Sequence, residues 1–389
     1  MTEKLYYRDA YIHEFECKVT DLYTDDTYIY VETDKTAFFP EGGGQTSDRG
    51  WLNGAYVENV QIVDGKILHF VEKCEENVKK LQNSTIIQGK IDSKKRFSDM
   101  QQHSGEHIFS GIVNKLYGYN NVGFHLGSEI VTLDFNGMLA EEDVCKVESL
   151  VNEAVWKNLE IRVLYPTDEE LKTISYRSKI EIEGQVRIVE IDGVDVCACC
   201  APHVKRTGEI GIVEVVNFEK YKGGTRVSIL CGERALKDIR HKLNENRRVS
   251  VITKAKQSET SCAVERLLKE KERLEFELVG ANREILFSKA KDIEQGERII
   301  IFDKKLDGKL LTEFTEAIKD KADALCACFC GENGFYRYCI ASKTVDLPSL
   351  AKELNSTFNG KGGGRGEMIQ GSITGNEEEI RNFLDKINL

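Results

Sequence analysis

The stretch Gln101-Gln102-His103-Ser104-Gly105-Glu106-His107 contains two histidines that are four residues apart. If this stretch is helical, residues i and i+4 lie on one face, so His103 and His107 present two imidazole rings to the same point. Two such rings on one helix are a common arrangement for holding a metal ion. Because a single histidine on a helix is more often a packed or surface residue, this interpretation depends on a second ligand pair elsewhere in the chain.

That second pair closes the segment Val196-Cys197-Ala198-Cys199-Cys200-Ala201-Pro202-His203. Cys199 and His203 repeat the spacing of the two helical histidines. Cys197 and Cys200 are further thiols that could replace Cys199, but the spacing to His203 favours Cys199. The two pairs together offer nitrogen and sulfur ligands in a tetrahedral set that suits zinc. We therefore predict one zinc ion per chain, with the ligands His103, His107, Cys199 and His203.

The composition is typical of a protein with several folded domains. The 389 residues are 41% hydrophobic and 31% charged, and the formal net charge is −11. No run of about 18 apolar residues occurs and the start lacks an export pattern, so we expect a cytoplasmic protein without a membrane partner. The 12 cysteines are then expected to stay reduced. The acidic balance argues against indiscriminate nucleic-acid binding and leaves room for a local RNA site.

A glycine-rich loop lies among predicted strands near the start of the chain. Strand patterns at 28–31, 56–63 and 67–71 predict a small β-barrel over residues 1–90. Within it, Phe38-Phe39-Pro40-Glu41-Gly42-Gly43-Gly44-Gln45-Thr46 joins consecutive glycines to an amide and a hydroxyl. Consecutive glycines allow a backbone to approach a ligand closely, although a plain hairpin loop explains the same residues. The spacing does not match that of a P-loop.

Residues 91–233 combine predicted helices with predicted antiparallel strands. The helix that carries His103 and His107 is expected to end at Gly118, and a second amphipathic helix is expected over 142–158. The predicted strands lie at 131–135, 161–164, 186–191, 212–216 and 226–230. Helices among such strands make an α+β sandwich. The second ligand pair follows one of the strands, where a loop can be directed at the helix.

The rest of the chain predicts a helical linker and a C-terminal α/β domain. Apolar residues recur at heptad spacing within 234–292, so we expect a long helix or a helical hairpin there. Residues 293–389 alternate strands with helices, and either this domain or the linker is where we expect a homodimer to form. Cys326, Cys328 and Cys330 alternate along one strand, so we expect small buried apolar residues rather than metal ligands.

In combination, the motifs resemble those of free-standing alanyl-tRNA editing proteins of the AlaX type, in their long form. These proteins are similar to the editing and C-terminal parts of alanyl-tRNA synthetase. In that family a Phe-[PheTyr]-Pro-x-Gly-Gly-Gly-Gln loop precedes a His-x-x-x-His helix, and a Cys-x-x-x-His loop is followed by Thr-Gly-Glu-Ile-Gly. Here the motifs stand in the same order at 38–45, 103–107, 199–203 and 207–211. The stretch at 361–366 looks like part of the DHH-associated domain that closes the synthetase.

This resemblance covers essentially the whole chain and implies four parts. They are a glycine-loop β-barrel domain (1–90), a zinc-containing editing domain (91–233), a helical linker (234–292) and a DHH-associated tRNA-binding domain (293–389). The implied activity is a trans-editing, ATP-independent deacylation of Ser-tRNA, and of Gly-tRNA, on alanine tRNA. One departure is the sequence Cys-Cys-Ala-Pro-His at 199–203, where the synthetase has Cys-Gly-Gly-Thr-His, which stiffens the loop and removes a hydroxyl.

We also expect roles for further residues in this activity. Gln45 and Thr46 are expected to recognise the serine hydroxyl, and His125 is expected to line the pocket. Contacts to the substrate or the tRNA are expected from Gly43, Gly44, Lys222, Arg226, Lys361 and Arg365. Because four protein ligands describe a closed zinc site, the sequence leaves open whether the zinc is catalytic or only positions the tRNA end.

Two other functions fit parts of the sequence. His103, Glu106 and His107 match the H-x-x-E-H motif of inverted zinc proteases, with Glu106 as the general base. That function explains one motif only, and a fourth protein ligand would occupy the position that a protease needs for water. The other alternative is a tRNA-binding protein with a structural zinc, which activity on mischarged tRNA would distinguish.

Overall fold

The computed structural model describes residues 2–82, 86–178, 185–364 and 366–387. The chain divides into two compact units, Met1–Arg247 and Arg248–Leu389. Both contain helices and strands, so the predicted α+β class is confirmed. The finer division into four domains stays a prediction. Within the part of the chain that the structure describes, every helix is too short or too polar to cross a membrane.

A closed ring of strands forms the beginning of the first unit. The strands are β1 (Glu3–Lys4), β2 (Glu14–Thr24), β3 (Tyr28–Thr33), β4 (Lys35–Thr36), β5 (Gly50–Leu52), β6 (Ala55–Val63), β7 (Lys66–Glu72) and β8 (Ile86–Ile91), and the helices are α1 (Leu5–Arg8) and α2 (Glu75–Gln82). Six strands hydrogen-bond in the ring order β2-β3-β7-β6-β5-β8, and β1 pairs with β4. Successive side chains of a strand point to opposite faces, so Ile29, Val31 and Thr33 of β3 are buried while Tyr28 and Tyr30 are only partly buried.

Helices and two small sheets complete the first unit. The helices are α3 (Ser93–Tyr117), α4 (Glu141–Trp156), α5 (Asp168–Leu171) and α6 (Gly232–Thr253), of which α6 extends past the boundary of the unit. The strands are β9 (Asn121–Leu126), β10 (Val131–Phe135), β11 (Ile161–Leu164), β12 (Ile188–Ile191), β13 (Asp195–Ala198), β14 (Val213–Tyr221) and β15 (Gly224–Cys231). One sheet has the order β14-β15-β10-β9 and the other has the order β11-β12-β13.

Helix α3 is the central element of this unit. The side chain of Asp92 accepts hydrogen bonds from the backbone N–H groups of Lys94 and Lys95 at 3.1 Å and so begins the helix. Gly118, with φ of 72°, ends it in the left-handed conformation, which confirms the predicted end. Every residue from Asp99 to Val113 is buried. A helix that is buried all round belongs to the core, so its polar residues must find partners within the protein.

The second unit contains a five-stranded sheet. Its helices are α7 (Thr260–Asp292), α8 (Lys309–Ile318), α9 (Leu347–Thr357) and α10 (Glu377–Asp385), and its strands are β16 (Gly296–Phe302), β17 (Ala322–Glu332), β18 (Phe335–Ala341), β19 (Lys361–Gly363) and β20 (Met368–Thr374). The strand order is β16-β17-β18-β20-β19. Cys326, Cys328 and Cys330 of β17 are buried together against Phe314 of α8 in one apolar cluster, which confirms their predicted role.

Candidate metal centre

The structure brings the four predicted ligands together. The ligand atoms of His103, His107, Cys199 and His203 all lie within 4.8 Å of one another. The Sγ atom of Cys199 is 3.5 Å from Nε2 of His103 and 3.4 Å from Nε2 of His203. The three histidines are buried and Cys199 is partly exposed. This is a converging set of one sulfur and three nitrogens, which fits zinc in ligand type and number.

Close packing of a strand on helix α3 makes this convergence. Two ligands come from α3, and the other two come from the loop after β13, which packs on the helix. Gly111 lets the strand approach, because a Cβ atom at this position would lie 2.7 Å from the carbonyl oxygen of Val194. Arg187 then holds the loop, donating hydrogen bonds from Nη1 to the carbonyl oxygens of Cys199 at 2.6 Å and Ala201 at 3.0 Å. The thiol of Cys200 lies on an exposed residue of this loop, outside the four-residue cluster.

Each imidazole is oriented by a second protein group. Nδ1 of His103 is 2.8 Å from Oε1 of Gln45, and Nδ1 of His203 is 3.2 Å from Oγ of Ser104. Nδ1 of His107 is 2.9 Å from Oδ2 of Asp195. When Nδ1 carries the proton and donates it to such an acceptor, Nε2 is left as the lone-pair donor for a metal. All three imidazoles are therefore arranged as Nε2 ligands.

Asp195 is itself held by a cation. Arg177 donates to it from Nε at 2.8 Å and from Nη2 at 2.9 Å. Burial raises the pKa of Asp195, but the hydrogen bonds from His107 and Arg177 outweigh it and the pKa falls below its usual value. The sequence does not predict these contacts, because Asp195 and Arg177 belong to no recognisable motif.

The electrostatics of the cluster favour the protonation states that metal ligands need at Cys199 and His203 and oppose that state at His107. Burial opposes the thiolate of Cys199, yet the neighbouring imidazoles hold its pKa well below the usual value. Burial lowers the pKa of His203 to about 3, so this ring is neutral. For His107, burial works against the charged form, but Asp195 and Cys199 raise its pKa well above normal. Loading of the site therefore requires His107 to release a proton.

The glycine loop lies between β4 and β5 and reaches the cluster through Gln45. Gly43 and Gly44 have φ of 61° and 80°. A Cβ atom on Gly44 would lie 2.6 Å from the carbonyl oxygen of Phe124, so only glycine fits against β9 there. Gln45 is buried, and its Nε2 has no hydrogen-bond partner among the described residues. Gln45 therefore orients His103 with its oxygen and retains its nitrogen as a donor.

A buried ion pair fixes the glycine loop to helix α3. Arg96 is fully buried and pairs with Asp48, the Nε atom lying 3.0 Å from Oδ1. Arg96 also donates to the carbonyl oxygen of Ala37 at 2.7 Å, and Asp48 accepts from the backbone N–H of Phe39 at 2.6 Å. The loop is thus attached to the helix that carries both histidines.

Two of the predicted pocket residues lie outside the cluster. Thr46 is exposed, and its Oγ1 accepts a hydrogen bond from Nζ of Lys95 at 3.1 Å. His125 is exposed on β9, opposite Thr132 of β10. Their roles stay predictions.

The predicted tRNA contacts are spread over both units. Lys222 is exposed in the turn between β14 and β15, and Lys361 is exposed at the start of β19. Arg226 makes a bidentate ion pair with Asp134 at 2.6 and 2.8 Å, so its guanidinium is already held by a protein carboxylate. Arg365 lies outside the described residues.

Glu106, the base of the protease hypothesis, lies inside the core. Its side chain is buried, and its Oε1 atom accepts hydrogen bonds from Ser110 Oγ and Asn121 Nδ2, both at 2.7 Å. Oε1 thus satisfies neighbouring polar groups, and Oε2 lies 3.9 Å from Nε2 of His107.

Two models of protein families match parts of this chain. The model of the threonyl and alanyl tRNA synthetase second additional domain matches residues 186–228, which include Cys199 and His203. The model of the DHHA1 domain matches residues 295–389. The fold and the cluster therefore stand in a chain with regions that are similar to the additional domain of these synthetases and to the DHHA1 domain.

Relatives that match over nearly the whole chain indicate a more specific class than the two family models do. The chain is 27% identical over 400 residues to alanyl-tRNA editing protein AlaX-L of Pyrococcus horikoshii, a match that covers 98% of this chain and 96% of that protein. It is 25% identical to alanyl-tRNA editing protein Aarsd1 of Mus musculus, covering 94% and 93% of the two chains. It is also 27% identical to alanine–tRNA ligase of Pyrococcus furiosus, of which it spans 43%. The resemblance to free-standing alanyl-tRNA editing proteins is confirmed.

Proposed function

We propose that this chain is an aminoacyl-tRNA hydrolase that removes a wrongly attached amino acid from alanine tRNA. The observation that carries the proposal is the cluster of His103, His107, Cys199 and His203 beside Gln45, in a chain similar over nearly its whole length to alanyl-tRNA editing proteins. We propose serine as the amino acid removed and glycine as a second one.

Because an aminoacyl ester is already activated, its hydrolysis mainly requires that a water and the ester carbonyl are held in line and that the developing oxyanion is stabilised. A bound zinc ion would supply a Lewis acid or lower the pKa of a water. The residues of the chain hold the ligands in place: Gln45 orients His103, and Asp195 with Arg177 orients His107. The same residues would serve a zinc that only positions the tRNA end.

Discrimination between serine and alanine must be polar, since the two differ by one oxygen. A site built to bond the serine hydroxyl leaves a buried polar group unpaired when alanine enters, at a cost of about 1–3 kcal/mol. The buried Nε2 atom of Gln45 is the donor that we assign to this hydroxyl. Gln45→Ala should therefore lower the rate on Ser-tRNA and, through His103, also weaken zinc binding.

The alternatives have less support. The burial of Glu106 and its hydrogen bonds to Ser110 and Asn121 do not favour a protease base. Glu106→Gln should accordingly leave substantial deacylation. A binding protein with a structural zinc has the same fold but no activity.

One assay tests the function. The purified protein is incubated with Ser-tRNA, Gly-tRNA and Ala-tRNA, each formed on alanine tRNA, and free amino acid is measured. We expect hydrolysis of Ser-tRNA with Ala-tRNA largely spared. Equal rates on Ser-tRNA and Ala-tRNA, or no hydrolysis of any of the three, would refute the proposal.

Several finer points belong to the same proposal. We propose four parts: a small β-barrel formed by the ring of strands (1–90), a zinc-containing editing domain (91–233), a helical linker (234–292) and a C-terminal domain (293–389). The editing domain would hydrolyse the ester, and the C-terminal domain would bind tRNA. The protein would act in the cytoplasm, and two chains would pair through the linker helices or the C-terminal domain. The tRNA contacts are assigned to Gly43, Gly44, Lys222, Arg226, Lys361 and Arg365, of which Arg226 would make its contact while it stays paired with Asp134.

A further inference from the structure

A cavity of about 550 Å³ lies beside the glycine loop. Thr46, Leu126 and Arg234 belong to its lining. Thr46 follows Gln45 directly, and Leu126 is joined to Gln45 by a parallel bridge. The cavity, which we call the α3 cavity, therefore adjoins the residue that orients His103.

Helix α3 joins this cavity to the metal centre. Lys95 and Asp99 line the cavity, and His103 and His107 continue the same row at intervals of four residues. Residues in such a row have Cβ atoms about 5–6 Å apart. If the carbonyl of an aminoacyl ester lies at the metal centre, the ribose that carries the ester is therefore within reach of the cavity.

Lys95 and Asp99 form an ion pair in the lining of the cavity. Nζ of Lys95 donates to Oγ1 of Thr46 at 3.1 Å, to the carbonyl oxygen of Ser47 at 2.8 Å and to Oδ2 of Asp99 at 2.7 Å. These bonds use the three donors of the ammonium group, so Lys95 holds the loop rather than a ligand. Asp99 is buried and accepts this bond through Oδ2, and a carboxylate has further lone pairs that can accept another.

Arg234 supplies a positive charge to the same cavity. It comes from α6 and donates from Nη2 to the carbonyl oxygen of Gly127 at 2.9 Å. A guanidinium has five N–H donors in a rigid fork, which suits a phosphate. The other charged residues of the lining are Arg49, Glu41 and Glu58, so cations and anions balance. A lining of both donors and acceptors suits a nucleotide, whose sugar hydroxyls and base edge offer both, and the volume lies within the roughly 300–1,000 Å³ of small-molecule sites.

We propose that the α3 cavity binds the 3′-terminal nucleotide of the tRNA, with Asp99 accepting a hydrogen bond from the free ribose hydroxyl and Arg234 binding the 5′-phosphate of that nucleotide. This inference rests on the proposed function, because the cavity would bind the nucleotide that carries the ester to be hydrolysed. Leu126 and Gly127 provide the apolar surface beside the base.

The role of Asp99 is tested with a pair of substrates. Ser-tRNA is prepared with a terminal ribose and with a terminal 2′-deoxyribose, and KM and kcat are measured for wild type and Asp99→Asn. We expect Asp99→Asn to raise KM roughly tenfold or more on the ribose substrate, as for a hydrogen bond to a charged group, and to change KM little on the deoxy substrate. An equal rise on both substrates would mean a structural role and would overturn this assignment.

The role of Arg234 is tested by binding alone. AMP affinity of the full chain is measured by equilibrium dialysis for wild type, Arg234→Met and Arg240→Met. Arg240 is exposed on the same helix α6, so its substitution removes the same charge outside the cavity. We expect a loss of at least about tenfold for Arg234→Met and little change for Arg240→Met.

The outcomes separate the two proposals. If wild type does not bind AMP, or if both arginine variants lose affinity equally, the nucleotide site is refuted. If AMP binds through Arg234 but no mischarged tRNA is hydrolysed, the nucleotide site stands and the editing function fails.

Discussion

At the scale of single residues, the cluster depends on groups that are not ligands. Asp195 is buried, accepts from His107 and is paired with Arg177. A ligating imidazole whose other nitrogen donates to a carboxylate is fixed in tautomer and orientation and is a stronger base. Gln45 and Ser104 fix the orientation of the other two rings as neutral acceptors, which support an imidazole less strongly than a carboxylate does. The affinity for zinc should therefore depend both on the four ligands and on the residues that hydrogen-bond to their rings.

Asp195→Asn should weaken zinc binding by about 10–100-fold, because the amide supports the imidazole less strongly than the carboxylate. The measurement is a competition for zinc between the protein and a chromophoric chelator. Asp192→Asn is the control, since Asp192 is an exposed residue three positions earlier. Equal zinc affinities of the two variants would contradict the role of Asp195.

Metal analysis of three variants tests the choice of cysteine. Cys199→Ser and His107→Ala should remove most of the zinc, because each deletes one of four ligands, whereas Cys200→Ser should retain it. Cys200 is the matched control because it neighbours Cys199 but stands outside the cluster. Loss of zinc in Cys200→Ser, with Cys199→Ser unchanged, would reverse the assignment.

At the scale of elements, one helix organises the first unit. Helix α3 carries two ligands, and through Arg96 it also holds the glycine loop that contains Gln45. Removing one member of a buried ion pair leaves the other charge uncompensated, which costs more than the pair itself contributes. The contact between Arg96 and Asp48 is therefore a point of weakness for both the fold and the site.

Arg96→Met should lower the free energy of unfolding of the first unit by about 3–5 kcal/mol, because it leaves Asp48 buried without its cation. Both tryptophans, Trp51 and Trp156, lie in this unit, so tryptophan fluorescence during urea unfolding reports on it alone. Lys94→Met is the control, since Lys94 is an exposed residue on the same turn of α3 and should change the value by less than about 0.5 kcal/mol. Similar unfolding curves for the two variants would exclude this role.

At the scale of the whole molecule, the two units divide the work that we propose. The four ligands lie between residues 103 and 203, within Met1–Arg247, and the DHHA1 match lies in the other unit. The chain is acidic overall, with a net charge of −11, so tRNA must be attracted by local basic groups. Lys361, exposed on β19 beside glycines, is such a group.

Lys361→Ala should weaken tRNA binding and reduce the slope of log affinity against log salt by about 1, because one phosphate contact is lost. It should leave kcat on Ser-tRNA unchanged. Lys352→Ala is the control, because Lys352 is exposed on α9 and carries the same charge. If both variants keep the wild-type slope, the second unit does not bind tRNA through Lys361.

Local features of the sequence determined the elements and the ligand spacing. The start of α3 at Asp92, its end at Gly118 and the four-residue spacing of each ligand pair are set by residues within a few positions of one another, which is the range of helix caps and helical periodicity. The alternation of Cys326, Cys328 and Cys330 likewise predicted a buried face of β17. The α+β class followed from such local patterns taken together.

Tertiary structure alone decided which groups orient the ligands. Gln45, Asp195 and Ser104 stand 58, 88 and 99 residues from the imidazoles that they contact. Contacts across such distances depend on how strands and loops pack, and no local propensity records them. The same holds for Arg226, whose charge is taken up by Asp134 of the neighbouring strand, and for Lys95, whose ammonium group holds the glycine loop. A side chain's residue type is visible in the sequence, but its partner is chosen by packing.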